Sequence, residues 1–348
     1  MSLPLSHVEK SPAAGIKGWP SWAGYAALMW SVLYGALHLY WLFGGEGYPF
    51  KYNEQAGLFS AIVTYLPAKA GGIVFVILCM LGANISLVMR YPDRFSLPRW
   101  LILAYAWGFA AGLIIFVPDI SLIMVMAYAF LLKFDFNWLM FNQIVCILGA
   151  LLWGFAVLGY QRWARGACVY CGREARSEPF VLVKWSRAIT WIAAAAPLPY
   201  AISRFVWAFD PKIIHEFLQE NPSAQVTALV FGIICVIGGM LTLGLNQKWG
   251  EVFPAWFPFI GGKRVPILLA VIPASMVAIA VTAAGFVFTF AFTVVKLGYL
   301  HVDNIIFNQI NTAVGPMLLW IPWGVALGLA AIAYYYRRRG QCGHCGRK

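Results

Sequence analysis

An all-α polytopic membrane protein, with eight transmembrane helices set out as two parallel four-helix repeats, is the expectation for this chain. Three observations carry it. Apolar residues make up 61% of the 348 and charged residues only 11%, whereas a soluble domain is about half apolar and about a quarter charged. Eight stretches of about bilayer-spanning length hold that excess, near 20–43, 67–89, 100–118, 138–161, 185–208, 224–245, 265–290 and 312–336. A C-x-x-C-G-R hexapeptide occurs twice, as Cys168-Val169-Tyr170-Cys171-Gly172-Arg173 and as Cys342-Gly343-His344-Cys345-Gly346-Arg347, each behind an apolar stretch and a basic run.

Taken in order, residues 1–18 form a polar, mildly basic tail with no cleavable apolar segment, so Trp22–Phe43 is expected to be retained as the first helix. Residues 19–173 form the first membrane repeat, 174–184 a linker, and 185–348 the second repeat. Two segments need separate treatment. Pro118-Asp119 is followed by the apolar run Ile120–Leu132, and its counterpart Val265–Val295 is free of charge throughout. Splitting each into two spans would give ten helices and would move the Arg162–Arg187 segment, with six basic residues, to the outer face. Eight spans, each third helix carrying an outer extension or re-entrant piece, keep those charges inside.

The net charge of +12 orients the chain. With the N-terminus in the cytoplasm, the inner segments 1–18, 90–99, 161–187, 246–264 and 337–348 hold 19 Lys and Arg against 5 Asp and Glu. The rest of the chain holds 6 against 8, so the split is +14 inside and −2 outside. That is the asymmetry of the positive-inside rule, and it places both termini in the cytoplasm of a multi-pass cell-membrane protein. The cations serve orientation and contact with anionic headgroups, so no nucleic-acid partner is expected.

The repeat rests on spacing. Phe141-Asn142-Gln143-Ile144 recurs as Phe307-Asn308-Gln309-Ile310, an offset of 166. The same offset pairs Tyr34 with Tyr200, His38 with Arg204 and Trp41 with Trp207. Both halves close with a Trp-Gly pair, Trp153-Gly154 and Trp323-Gly324, then a basic cluster and the cysteine motif. Four spans per repeat make the repeats parallel, related by an axis along the membrane normal, and return both cysteine motifs to one face.

There Cys168, Cys171, Cys342 and Cys345 offer four thiolates, the donor set of a structural zinc site with no position left for water. Cytoplasmic C-x-x-C pairs more often bind metal than form disulfides. The rival reading is redox, because Cys342-Gly343-His344-Cys345 has the letters of a thiol–disulfide isomerase site. That chemistry needs a thiolate at a helix N-terminus in a thioredoxin-like fold, which a short tail does not supply. Cys79, Cys146 and Cys235 fall in mid-helix as small core residues.

Polar residues within spans are the candidate ligand-binding set. His38 and Arg204 hold equivalent places in the first helix of each repeat. Asn142, Gln143, Asn308 and Gln309 sit at the outer starts of the fourth helices, either bridging helices or facing a ligand. Asp119, beside Pro118, is a counter-ion for Arg204, a proton carrier or, the favoured reading, an ordinary helix-end residue. Pro197 and Pro199 are expected to break the fifth apolar stretch about one turn before Arg204. The predicted site is therefore an outward-facing cavity between the repeats, covered by the loops 44–66 and 209–223. A net cationic lining with amide donors suits an anion or lipid headgroup. Haem or copper is disfavoured because His38, His215, His301, Met124 and Met126 contain no pair of histidines at ligand spacing on one helix.

No G-x-x-x-x-G-K-[ST], H-E-x-x-H or G-x-S-x-G motif is present. The functional expectation is binding or transport of a small anionic or amphipathic molecule. Two alternatives stand beside it. One is a membrane enzyme acting on a lipid or quinone-like substrate with His38 as acid/base. The other is a non-catalytic assembly or sensor subunit whose zinc-bound cytoplasmic face docks a protein partner.

Overall fold

The computed structural model describes residues 18–50, 58–95, 97–129, 137–174, 181–209, 222–256, 258–299 and 315–347. Among these the chain is helical, apart from one isolated β-bridge between Val252 and Arg264. The helices are α1 (Trp19–Leu42), α2 (Ala68–Arg90), α3 (Arg99–Phe116), α4 (Ser121–Ala129) and α5 (Trp138–Ala164), followed by the short α6 (Val181–Lys184). Then come α7 (Ser186–Ala195), α8 (Leu198–Phe209), α9 (Pro222–Leu243), α10 (Ile267–Lys296) and α11 (Trp320–Arg338).

Seven segments are long and apolar enough to cross a membrane: α2, α3, α5, α7 with α8, α9, α10 and α11 with its lead-in from Gly315. The outer surfaces of these helices and of α1 are apolar. Met29 and Leu33 of α1, Met80 of α2, Met240 of α9 and Leu268 of α10 are all more than half exposed. A water-soluble monomer does not leave apolar area of that extent uncovered. The protein is a multi-pass α-helical membrane protein. The helix α1 is 24 residues long yet falls outside the seven, its Trp, Tyr and His residues lowering its hydropathy on both faces. Its inward face buries Ala23, Ala27, Trp30, Tyr34, His38 and Trp41, spaced three or four apart as one stripe of a helix requires.

Packing follows the same neighbour order in both halves. In the first half α1 packs on α2 and α5, and α3 packs on α5. In the second, α7 and α8 pack on α9, α7 packs on α11, and α10 packs on α11. The halves meet where α3 and α4 lie against α10. In the first half the indole of Trp30 donates to Val145 O at 3.0 Å, and that of Trp153 to Ser31 Oγ at 3.2 Å. Trp153 is fully buried against Tyr105 and Phe109. Gly149 lets the Trp30 ring lie on the α5 backbone, since a Cβ there would stand 2.2 Å from that ring. In the second half small residues do this work: Ala278, Ala284 and Gly285 of α10 are buried against α11. Close backbone approach is how membrane helices gain packing energy when lipid removes the hydrophobic drive.

The segments singled out by proline resolve differently from one another. The helix α3 ends at Phe116, and Asp119 starts α4, its Oδ1 accepting Ser121 N–H at 2.8 Å and the Ser121 hydroxyl. The described part of α4 is nine residues, about 13 Å. Its counterpart α10 is one continuous helix of 30 residues, about 45 Å long, with Pro273 inside it. In the fifth apolar stretch, α7 ends at Ala195 and α8 begins at Leu198, so the chain breaks at Pro197 as expected from a residue lacking an N–H.

Candidate metal centre and buried polar residues

Each cysteine motif is a turn laid directly after a long helix, the first after α5 and the second after α11. The two turns have the same construction. Gly172 N–H donates to Cys168 O at 2.6 Å, and Gly346 N–H to Cys342 O at 2.9 Å. Cys168 N–H returns to Arg173 O at 3.0 Å, and Cys342 N–H to Arg347 O at 2.9 Å. Both glycines sit at positive φ, 72° for Gly172 and 68° for Gly346, a conformation that a side chain would strain. Within each turn, backbone N–H groups point at the first sulfur: those of Tyr170 and Cys171 at Cys168 Sγ, and those of His344 and Cys345 at Cys342 Sγ.

The turns face each other, and all four sulfurs lie within 4.8 Å of one another. A tetrahedral zinc with Zn–S distances near 2.3 Å places its sulfurs about 3.8 Å apart. Cys171 Sγ and Cys345 Sγ, at 3.5 Å, are too far apart for a disulfide. All four thiols are free. The donor set therefore fits a metal ion of the thiophilic class. The backbone N–H groups of Cys345 and then His344 draw the Cys342 thiol down to about 6, whereas burial pushes the Cys168 thiol up to about 12.

Arginines enclose the centre. Arg173 Nη1 donates to Arg347 O at 2.7 Å, and Arg347 Nη1 donates back to Arg173 O at 2.8 Å. Arg173 Nη2 reaches Gly340 O at 3.0 Å, Arg162 Nη1 holds Val169 O and Tyr170 O at 3.0 and 2.9 Å, and Arg339 Nη1 donates to Cys171 O. The Tyr170 and His344 rings lie 4.4 Å apart. Four thiolates around a divalent ion would carry a net charge of −2, which these cations would compensate; they fix the turn carbonyls as they stand. The neighbouring loop is tied down by α11, where Arg337 bonds Glu251 at 2.8 Å and Asn246 Oδ1 at 2.7 Å. The redox reading finds no thioredoxin-like βαβ unit among the described residues, and neither cysteine turn opens a helix.

The other predicted residues fall into two separate environments. His38 is fully buried in the first half, its ring stacked on Phe75 at 4.4 Å and edge-on to Tyr34, Trp41 and Tyr48. Neither of its nitrogens has a hydrogen-bond partner. Cys146 Sγ lies 3.1 Å from Tyr34 Oη, so His38, one turn farther along α1, comes level with Asn142 on α5. Asn142 Nδ2 donates to Trp138 O at 3.1 Å, whereas the amide of fully buried Gln143 is unpartnered. Arg204 lies in the second half. Its guanidinium carbon stands 3.6 Å from the Trp207 ring centre and 4.5 Å from that of Tyr200, with Nε and Nη2 unpartnered. The ring contacts of His38 are all in the first half and those of Arg204 in the second, so they do not bring the two side chains together. Asp119 is buried in its turn with Ser121, and among the described residues it makes no ion pair with Arg204. Asn308 and Gln309 lie outside the described residues, as do His215 and His301.

Sequence reasoning missed the arginine frame and the unpartnered indole N–H groups of Trp320 and Trp323. The Trp-Gly pairs were visible as repeat markers; that an indole must find an acceptor was the signal to follow. A hollow of about 40 Å³ between α1, α2 and α5, bordered by Gly24, Arg90, Tyr160 and Val169, has room for a few waters.

No protein family, no curated protein and no solved structure matches this chain. Its class is defined by its own features: a helical multi-pass membrane protein with four cysteines placed to hold a metal ion.

Proposed function

We propose that the chain is an integral membrane protein that binds or transports a small anionic or amphipathic molecule, with a structural zinc clip on its cytoplasmic face. In this reading α1, α2, α3 and α5 form one four-helix unit, and α7 with α8, α9, α10 and α11 form a second of the same topology. Eight spans result, with the unit boundary in the 174–184 linker. The matching neighbour order and the identical cysteine turns support the repeat. The charge split supports cytoplasmic termini. The clip rests on one observation, the four sulfurs within 4.8 Å. Purified protein should carry about one zinc per chain by elemental analysis. Absence of metal, with four thiols open to alkylation, would overturn it.

Ligand binding rests on the buried Arg204 guanidinium, which has aromatic neighbours and unmet donors. A buried charge is strongly unfavourable unless paired, so an anion from outside the chain is its natural partner. In vesicles reconstituted with the protein, Arg204→Ala should abolish saturable uptake of an anionic amphiphile. Uptake equal to wild type would place the site elsewhere. The enzyme alternative is weaker, because His38 is walled in by four rings with no face open to a substrate.

A further inference from the structure

Among the described residues, the second unit buries hydrogen-bond donors without matching acceptors. Arg204, Trp320 and Trp323 are 7%, 6% and 7% exposed. Arg204 Nε and Nη2 and the Nε1 of both tryptophans have no partner. The groups are linked through rings: Arg204 lies over Tyr200, the Tyr200 ring is 5.2 Å from Trp320, and Trp320 is 6.3 Å from Trp323. They thus follow one seam, from α8 to the first turn of α11. Guanidinium and indole can only donate. The guanidinium and the two indoles cannot satisfy one another, and the single Tyr200 hydroxyl between them cannot serve all three, so a further acceptor is called for. Among the described residues the ion pair is Arg337 with Glu251, far along α11 from this seam.

The first unit satisfies the indole at the matching Trp-Gly pair and carries no cation at the place equivalent to Arg204. Trp153 Nε1 donates to Ser31 Oγ, and the place equivalent to Arg204 holds His38. By the 166-residue offset, Ser31 corresponds to Pro197, which has no hydroxyl to offer Trp323. The first unit also buries unpartnered groups, the His38 ring and the Gln143 amide, but those include acceptors. Among the described residues the buried unpartnered guanidinium and indoles of the two units lie in the second. The surroundings of the seam are apolar: Trp207 lies against the guanidinium, and Phe288 is 5.3 Å from Trp320. On α8, Ile202 and Val206 are exposed toward lipid, which gives a chain lying in the bilayer a lateral approach.

From this we infer that the α8–α11 seam binds one amphiphile through an oxyanion headgroup, a carboxylate or a phosphate, held by Arg204 with the Trp320 indole N–H. This rests on the ligand-binding reading of Arg204 above, and it moves the site from between the units into the second unit.

The test uses the full chain in phosphatidylcholine nanodiscs, titrated with lauric acid, lauryl phosphate and dodecanol and read by calorimetry. Saturable binding of either anion near one per chain, with none for dodecanol, is the expected result. Preference for laurate indicates a fatty-acid-like ligand and preference for lauryl phosphate a lipid phosphate; both support the site. Arg204→Gln should weaken binding about tenfold or more, as loss of a charge-assisted hydrogen bond implies. Trp320→Phe, which keeps the ring and removes only the N–H, should weaken it severalfold, and Arg204→Lys should keep part of it. Equal binding of dodecanol, or unchanged affinity in Trp320→Phe, overturns the site even where Arg204→Gln does not fold. Binding without uptake in vesicles would refute translocation and leave the site standing. Uptake that survives alongside unchanged binding in Arg204→Gln would do the reverse.

Discussion

Serine in place of Cys342 should empty the metal centre and lower the thermal unfolding midpoint by several degrees. One hydroxyl among three thiolates is a poor zinc ligand, and structural zinc sites in small peptides supply about 10–16 kcal/mol of apparent folding free energy. Here most of the fold is built by helix packing, so only part of that is at stake. What disappears is the tie between turns 174 residues apart in sequence. A covalent crosslink over about 100 residues constrains the unfolded chain by about 4–5 kcal/mol, and a metal bridge acts in the same direction. The arginine frame makes the loss larger, since Arg162, Arg173, Arg339 and Arg347 would be left facing one another without the anionic centre they enclose. Differential scanning fluorimetry with elemental zinc on the same sample reads both effects. A chelator should reproduce the shift in wild type and leave the variant unchanged. Equal midpoints for wild type, chelated wild type and Cys342→Ser would show that the clip carries no stability.

The meeting of the four cysteines was legible in the sequence because its parts are local. C-x-x-C-G closes a turn by itself, and each copy directly follows a long helix. The apolar stretch near 138–161 became α5 with nearly those bounds, and Pro197 interrupts the fifth stretch as its chemistry requires. The arginine frame was not legible, because reciprocal contacts such as Arg173 with Arg347 exist only once the two turns face each other. The predicted meeting of His38 with Arg204 did not follow from their offset either. Equal offset would make two residues equivalent in a duplicated chain, and such residues would come together only if they faced the axis relating the two copies. The halves touch through α3, α4 and α10. The helix α1 packs on α2 and α5, which turns His38 toward its own half. Spacing along a chain reports correspondence; only packing reports proximity.

The two Trp-Gly pairs allow that distinction to be tested, because Gly154 and Gly324 correspond in sequence and differ in packing. A Cβ on Gly324 would stand 2.1 Å from Thr282 Oγ1, 2.7 Å from Ala278 O and 2.8 Å from Thr282 N. Thr282 Oγ1 is itself bonded to Ala278 O at 2.7 Å, so turning it away breaks that bond. The other two atoms are backbone and move only if α10 and α11 separate. Gly285 shows the same contact from the opposite side, where a Cβ would lie 2.8 Å from Ile321 N. Gly324→Ala should therefore destabilise by about 3 kcal/mol or more, at the upper end for overpacking. The gain of about 1 kcal/mol in helix propensity does not offset this. At Gly154 a Cβ meets nothing within 4 Å, so Gly154→Ala should keep that gain and be neutral or stabilising. Unfolding of the two variants in the same detergent should shift in opposite directions, and a shift of the same sign and size in both would refute the close α10–α11 contact. Zinc content separates this effect from loss of the clip: Gly324 lies near the start of α11 and the cysteine turn beyond its end, so Gly324→Ala should unfold more easily while still holding its metal.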